Sequence, residues 1–169
     1  MRMMRRALSF QIFGIPVIGT IVGSFLLMST LWMWWGAFFR DTFQLLMGVT
    51  EDQIDAESLG IWYPMGVLFC LIQGIGIATV LKWRGWPNVL IAGRTGATVA
   101  LLLGAMVFTY SLVILPEHSI TLFLINASSL IVAWTLAAMA ISLFYRAPRR
   151  SRATKSSILP GSQGQMTAR

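Results

Sequence analysis

The chain has 169 residues, of which 56% are hydrophobic and only 11% are charged, and its mean hydropathy is +0.72. This composition excludes an ordinary water-soluble domain. The net charge of +7 is unevenly spread, and the charged residues leave four long uncharged runs, at 7–39, 58–81, 95–116 and 119–145. Each run can cross a bilayer, because a hydrocarbon core of about 30 Å needs about 20 helical residues. We therefore predict an all-α integral membrane protein, a bundle of four transmembrane helices at about 9–39, 59–81, 88–115 and 119–145.

The first predicted helix follows the basic opening MRMMRR, an arrangement that also begins a secretory signal peptide. The apolar run is too long for a signal peptide and ends in tryptophans, which are not typical of a cleavage site. We therefore expect an uncleaved first helix at about 9–39.

The outer end of this helix is aromatic, with the sequence LWMWWGAFFRDTF. Trp32, Trp35 and Phe39 are spaced i, i+3, i+7 on one helical face, and Trp34 and Phe38 lie i, i+4 on another. Tryptophan favours the membrane–water boundary, where its ring meets the headgroups and its indole N–H meets water. We predict an aromatic belt that contacts lipid or a partner, and the alternative is a set of rings that stack on a cofactor.

The outer loop at 40–58 is predicted to contain a short interfacial helix. Phe43, Leu46 and Met47 fall at helical spacing, and Gly48 follows as a stop signal. The acids of this loop could bind a cation, but they lack the pattern of a dedicated calcium loop. A solvated acidic loop is the simpler interpretation.

The second and third predicted helices meet at the inner boundary. Trp83 and Trp86 stand beside Lys82 and Arg84, which favours contact with lipid headgroups. Arg94 lies seven residues beyond Pro87, or about 10 Å into the third helix, with no acid at the same depth. We expect Arg94 to snorkel towards the headgroups, or to contact an anionic lipid or a partner.

Three polar residues fall deep within the predicted spans, namely Gln73, Tyr110 and Asn126. When residues are counted from the inner boundary for Gln73 and from the outer boundary for Asn126, both fall near the middle of the membrane. They could therefore form a hydrogen bond between helices. A substrate site is the alternative. No acid lies within a span, which argues against proton-coupled and sodium-coupled carriers that use intramembrane carboxylates.

Small residues predict where helices approach closely. Gly19 and Gly23 form a G-x-x-x-G pair in the first helix, and Ser129, Ala133 and Ala137 recur at the same spacing in the last. Such rows let backbones come together where lipid provides no hydrophobic drive.

The chemical groups argue against catalysis. Cys70 is the only cysteine, and His118, in the turn PEHS, is the only histidine. His118 could ligate a metal or the magnesium of a pigment, but a loop histidine without a ligand role is the simpler interpretation. No hydrolase, nucleotide-binding or metalloprotease motif is present. We predict no enzyme activity, no catalytic residue, no metal and no required cofactor; we expect bound lipid and leave a bound pigment open.

Charge orients the chain. If both termini share a side, 12 of the 13 basic residues fall on that side with no acid, while Arg40 and all six acids fall on the other. Basic loops stay in the cytoplasm during insertion, so we predict a bacterial cytoplasmic-membrane protein with both termini inside. The charge is thus a topology signal and a poor argument for nucleic-acid binding. Residues 1–148 would form the membrane domain, and 149–169 a flexible basic tail whose cations contact anionic lipid, among them Arg149, Arg150 and Arg152.

Two segments carry a family resemblance. The stretch LWMWWGAFFRDTFQLLMGVTEDQI, at 31–54, looks like the small four-helix bacterial membrane proteins of the domain of unknown function 1761 family. The stretch LFLINASSLIVAWTLAAMAI, at 122–141, is similar to that family's last helix and includes the pair Ile125 and Asn126. The resemblance implies a four-helix fold and no established activity. The extra tryptophans and the long basic tail depart from the family's pattern.

Two functional hypotheses follow. The first is a noncatalytic accessory subunit that packs against a larger respiratory or photosynthetic membrane assembly, with lipid contacts. The second is a small oligomeric transporter or channel, with Gln73, Asn126, Tyr110 and Arg94 along its path. The transporter requires a polar cavity that reaches the middle of the membrane, whereas the subunit requires dry helix contacts and an apolar face for its partner.

Overall fold

The computed structural model describes residues 10–47, 56–104, 106, 109 and 119–145. Two short strands, β1 (Gln11–Ile12) and β2 (Ile15–Pro16), precede the helices. The helices are α1 (Val17–Met33), α2 (Arg40–Met47), α3 (Ala56–Trp83), α4 (Val89–Val99) and α5 (Ile120–Phe144). The described chain is thus predominantly helical, as the composition predicts.

The segment before α1 is an antiparallel hairpin and not the beginning of a helix. Ile12 pairs with Ile15, and the two residues between them, Phe13 and Gly14, have φ values of 51° and 74°. Two central residues with positive φ form the turn that matches the twist of a two-residue hairpin. Pro16 then precedes the helix, which begins at Val17 and not near residue 9. Apolar content alone hid this boundary, although Gly14 and Pro16 are both turn residues.

The outer end of α1 continues into a π-helical turn at Trp34–Phe38. Within it the amide of Phe39 donates to the carbonyl of Trp34 at 3.0 Å, an i→i+5 bond. The backbone then breaks at Phe39, and α2 begins at Arg40 with Asp41 in its first turn, where a carboxylate favours the helix dipole. Helix α2 corresponds to the short helix predicted in the outer loop, and Leu45 on it is exposed.

Three helices are long and apolar enough to cross a membrane, and their apolar spans are Val17–Phe38, Tyr63–Trp83 and Ile120–Phe144. Helix α3 continues through Pro64. Helix α4 begins after Asn88, whose side chain accepts a hydrogen bond from the amide of Ile91, and extends through a π-helical turn at Ala100–Gly104. That apolar stretch is shorter than a span, and most of the predicted 105–115 lies outside the described residues. The fourth crossing and the orientation of the termini stay predictions.

Helix α5 lies at the centre of the described bundle and packs against α1, α3 and α4. A Cβ at Gly23 of α1 would come within 2.6 Å of Ile141 Cγ1, and a Cβ at Gly19 within 2.7 Å of Phe144 Cβ. The predicted G-x-x-x-G pair is therefore the surface through which α1 meets α5. Gly96 of α4 likewise lies against Ala138 of α5.

The small residues predicted in α5 are all buried. Ser129 is 2% exposed, and Ala133 and Ala137 are fully buried. The helices approach closely because glycines of α1 and α4 meet the backbone of α5, at the carbonyls of Ala137 and Trp134.

Helices α1 and α3 cross at Ser24 and Gly74. A Cβ at Gly74 would collide with Ser24 Oγ, so a larger residue at this crossing requires the Ser24 side chain to move. Ser24 is 3% exposed, and its Oγ has no hydrogen-bond partner within the described part of the chain. The hydroxyl therefore contributes shape to this contact and no polar bond.

Candidate membrane and partner interface

The aromatic end of α1 is organised around Trp34. Its ring meets Phe38 edge-on with centroids 6.0 Å apart, and meets Phe39 at 5.5 Å. The sequence spacing had placed Phe39 with Trp32 and Trp35, but the π-helical turn adds a residue per turn and brings Phe39 to Trp34. Trp34 Nε1 is buried and has no partner among the described residues, so this indole N–H does not face water as a simple aromatic belt would require.

Trp32 and Trp35 border a groove between α1 and α3 with a volume of about 340 Å³. We call it the outer groove. Trp32 is largely exposed, and Gly66 of α3 also lines the groove. A Cβ at Gly66 would have no atom within 4 Å, so the groove exposes helix backbone to whatever fills it.

The outer half of α3 has little cover from the other described helices. All seven residues from Tyr63 to Phe69 are exposed, which is nearly two turns. Because consecutive helical residues point in all directions, exposure of an unbroken run means that no side of this segment is fully covered, and even the side towards α1 is only a groove. We call residues 63–69 the open segment of α3.

The opposite end of the molecule, which carries the β1–β2 hairpin, gathers cations and aromatic rings. We call it the hairpin end. Lys82 Nζ donates to the carbonyl of Phe13 at 2.6 Å and so ties the hairpin to the end of α3. Phe13 is 87% exposed and Trp83 is 80% exposed. Apolar rings beside a cation are typical of a membrane–water boundary, as predicted for Trp83.

Trp86 makes an internal contact that the sequence analysis did not predict. Its ring stacks on Tyr145 with centroids 4.3 Å apart and planes 9° apart. Trp86 has a φ of 56°, unusual for a residue with a Cβ, and its amide donates to the carbonyl of Leu81. Ser142 Oγ also donates to the carbonyl of Pro87 at 2.8 Å. The turn after α3 is thereby fixed against the end of α5.

Arg84 and Arg94 differ in how they are held. Arg84 Nη1 donates to Thr95 Oγ1 at 2.9 Å, and the Thr95 hydroxyl donates to the carbonyl of Ile91 at 2.8 Å. The Arg94 side chain is exposed and makes no hydrogen bond or ion pair with the residues that the structure describes. The exposure of Arg94 agrees with snorkelling or a lipid contact. The guanidinium of Arg84 lies at nearly the same position along α4, because it contacts the next residue, Thr95.

Gln73 has a different partner from the one that depth alone suggested. Trp134 Nε1 of α5 donates to Gln73 Oε1 at 2.9 Å. Trp134 lies eight residues beyond Asn126, or about 12 Å along the helix, so depth was estimated two turns away from the actual contact. The carbonyl of Asn126 accepts from Ser129 Oγ at 2.7 Å. The predicted interhelical hydrogen bond of Gln73 exists, but Asn126 is not its partner.

A cleft lies between α3 and α4. The Gln73–Trp134 bond lies at the end of this cleft that is further from the hairpin end. We call this cleft the α3–α4 cleft; its volume is about 160 Å³. Apart from Gln73 and Thr95 its lining is apolar. The lining includes Gly76, Ile77 and Val80 of α3, Val99 and Leu103 of α4, and Trp134 of α5.

Five predicted site residues lie outside the described residues, and they are Tyr110, His118, Arg149, Arg150 and Arg152. Within the described ranges, no three His, Cys, Asp or Glu side chains come together as a metal site. The predictions about metal, pigment and bound lipid stay predictions.

Sequence reasoning missed Trp134 and Thr95. Trp134 had a usable signal, since it lies in the middle of an apolar run, away from the boundary where an indole N–H meets water. Such a tryptophan needs a polar partner inside the membrane. Thr95 had no comparable signal, because threonine in a membrane helix commonly bonds its own backbone.

The chain matches no protein-family model, no curated protein and no solved structure. The resemblance to the domain of unknown function 1761 family therefore stays a prediction.

Proposed function

We propose that the protein is a noncatalytic integral-membrane accessory subunit of a larger membrane assembly, respiratory or photosynthetic, in the bacterial cytoplasmic membrane with both termini inside. The observation that carries the proposal is the open segment of α3, where seven consecutive residues are all exposed. A transmembrane helix of a partner would cover this segment.

The outer groove supports the same proposal. Helices associate in lipid through close packing, and glycine at the contact lets a second backbone approach. Gly66 provides such a position, because the place of its missing Cβ is empty. The neighbouring Trp32 and Tyr63 are exposed and would bury large ring areas against a partner.

The transporter hypothesis has less support. It needs a polar cavity at mid-membrane, but the outer groove and the α3–α4 cleft are mainly apolar. Gln73, the polar residue deepest in α3, is hydrogen-bonded to Trp134. Arg94 was also suggested to line the transport path. Its side chain is exposed and makes no hydrogen bond or ion pair with the described residues.

The test combines mild-detergent extraction from the native membrane with photo-cross-linking. A photoreactive amino acid replaces Phe69 in the open segment, and a matched control replaces Leu143, which is similarly exposed on α5 at the hairpin end. We expect the Phe69 position to yield an adduct with a distinct membrane polypeptide, identified by mass spectrometry, and the Leu143 position to yield little.

Two outcomes would overturn the proposal. An adduct of twice the chain's mass from Phe69 would indicate a homo-oligomer. Recovery of the chain alone, with adducts only to lipid at both positions, would mean that lipid and not a subunit covers the open segment.

A further inference from the structure

We propose that the α3–α4 cleft is a binding site for one anionic phospholipid, with an acyl chain in the cleft and the phosphate on Arg84. The proposal concerns the isolated chain and does not depend on a partner subunit. It rests on the position of Arg84, the shape of the cleft and the distribution of charge at the hairpin end.

Arg84 is held beside the α3–α4 cleft by its contact with Thr95. Its Nη1 bonds Thr95, which is 4% exposed and lines the cleft, so the guanidinium is drawn from the end of α3 across to α4. A guanidinium has five N–H donors, and this contact uses one of them. The Arg84 side chain is itself exposed and has no other polar contact in the described ranges, so its remaining donors are available to a phosphate.

Thr95 is well suited to this positioning role. Its hydroxyl proton is used on the carbonyl of Ile91, so the oxygen presents a lone pair to Arg84. The acceptor is therefore fixed in direction, and Arg84 is held beside a residue that lines the cleft. A planar guanidinium that is held in this way matches the geometry of phosphate oxygens.

The cleft below Arg84 has the shape and polarity of an acyl-chain site. On α3 its lining extends from Leu81 to Gln73, or about 12 Å of helix, and is apolar until the Gln73–Trp134 bond closes it. Gly76 has no atom within 4 Å of its missing Cβ, and Leu103 is half exposed, so the cleft is open sideways to lipid.

Charge at the hairpin end favours an anion. Arg94 lies next to Thr95 on α4, about 7.5 Å along the helix from Val89, and so adds a second cation near the level of the Arg84 contact. The described acids are Asp41 and Glu57, and both lie at the opposite end of the helices. Within the described ranges, an anion at the cleft entrance therefore meets cations without a competing carboxylate.

The occupant is a phospholipid and not a free anion, because the phosphate site continues into an apolar cleft that opens towards lipid. Apolar packing offers little selectivity in a bilayer, where lipid tails are as apolar as leucine. The preference for one phospholipid over another should therefore depend on the charge of its headgroup. The cleft fixes the position of one acyl chain.

The experiment is native mass spectrometry of the full chain with dioleoyl phosphatidylglycerol or dioleoyl phosphatidylcholine added at equal concentration. We expect the wild-type chain to retain one phosphatidylglycerol in preference. Arg84→Gln should weaken that retention about fivefold, since a single cation near an anionic headgroup contributes about that factor. The matched control is Lys82→Gln, which removes a cation from the same end of α3 where it binds the hairpin, and it should leave the preference unchanged.

A second pair of variants tests the cleft and protects the experiment against a folding defect. Gly76→Leu fills the cleft, and Gly66→Leu fills the outer groove; both glycines have open space at the Cβ, so both variants should fold. We expect Gly76→Leu to abolish selective retention and Gly66→Leu to preserve it.

Three results would overturn the proposal. Unchanged retention in both Arg84→Gln and Gly76→Leu would exclude the cleft. Equal losses in Arg84→Gln and Lys82→Gln would indicate general electrostatic attraction. Displacement of the lipid by millimolar inorganic phosphate would indicate a free-anion site in place of a phospholipid site.

Discussion

At the scale of single residues, several polar side chains within the apolar helices bond either a facing helix or their own backbone, and the buried Ser24 is an exception. Gln73 and Trp134 satisfy each other across the α3–α5 contact. Thr20 and Thr79 instead donate to the carbonyls four residues earlier, Pro16 and Ile75. A hydroxyl that bonds its own helix is satisfied without linking two helices. Such a bond is favourable because an unsatisfied polar group is costly in hydrocarbon.

The Gln73–Trp134 bond gives the first prediction. Gln73→Leu should lower the free energy of unfolding by about 0.6–2 kcal/mol, the range for hydrogen bonds between membrane helices. The measurement is chemical unfolding in mixed micelles. Trp134→Phe should give a similar loss, and the double variant should lose less than the sum, because both substitutions remove the same bond. Strict additivity would show that the bond does not contribute to stability.

At the scale of elements, the bundle depends on how close the helices come. Helix α5 presents Ala133, Ala137 and Ala138, all fully buried, and α1 and α4 present glycines to that surface. Helix α3 is the exception, because it crosses α1 at Gly74 but leaves its outer half uncovered. The contacts around α5 are therefore specified by the small size of the side chains there. The surface of the outer half of α3 remains available to lipid or a partner.

The α1–α5 crossing gives the second prediction. Gly23→Leu should destabilise the chain by about 1–3 kcal/mol, the usual range for overpacking, because Ile141 and the carbonyl of Ala137 leave no room for the new side chain. Unfolding in mixed micelles measures the loss.

Gly66→Leu is the matched control for this prediction. It gains the same helix propensity but enters open space, so its stability should be unchanged or slightly higher. Equal effects at the two positions would mean that the close crossing at Gly23 is not required for stability.

At the scale of the whole molecule, the two ends of the helices differ in chemistry. The hairpin end carries Lys82, Arg84 and exposed apolar rings, while Asp41 lies at the other end with the tryptophans of α1. A bilayer with an anionic inner leaflet and the positive-inside tendency both favour the hairpin end as the cytoplasmic one.

The orientation gives the third prediction, tested by cysteine labelling in intact cells. Cys70 is the only cysteine, so Cys70→Ala provides a background without thiols. Ser9→Cys and Ser151→Cys should be protected from a membrane-impermeant maleimide until the cells are opened, whereas Thr50→Cys should react at once. Immediate labelling at position 9 or 151 would contradict the proposed topology.

The helical membrane class, the small-residue surfaces of α1 and α5, and the short helix after the aromatic end could all be predicted from the sequence. These features depend on local composition and spacing, which a single chain displays directly. The hairpin before α1 was harder to predict from the sequence, because a short apolar strand has the same composition as the apolar helix that follows it. Gly14 and Pro16 are the residues that indicate a turn there.

The pairs of residues that meet between helices could not be predicted from the sequence. The π-helical turn moves Phe39 from the Trp35 face to Trp34, and Gln73 meets Trp134, which lies about two turns along α5 from Asn126. Arg84 likewise reaches Thr95 of the next helix, and Trp86 stacks on Tyr145 near the end of the described chain. Position within one helix follows from counting residues, but the level at which two helices meet, their rotation and their separation depend on the packing of all the helices together.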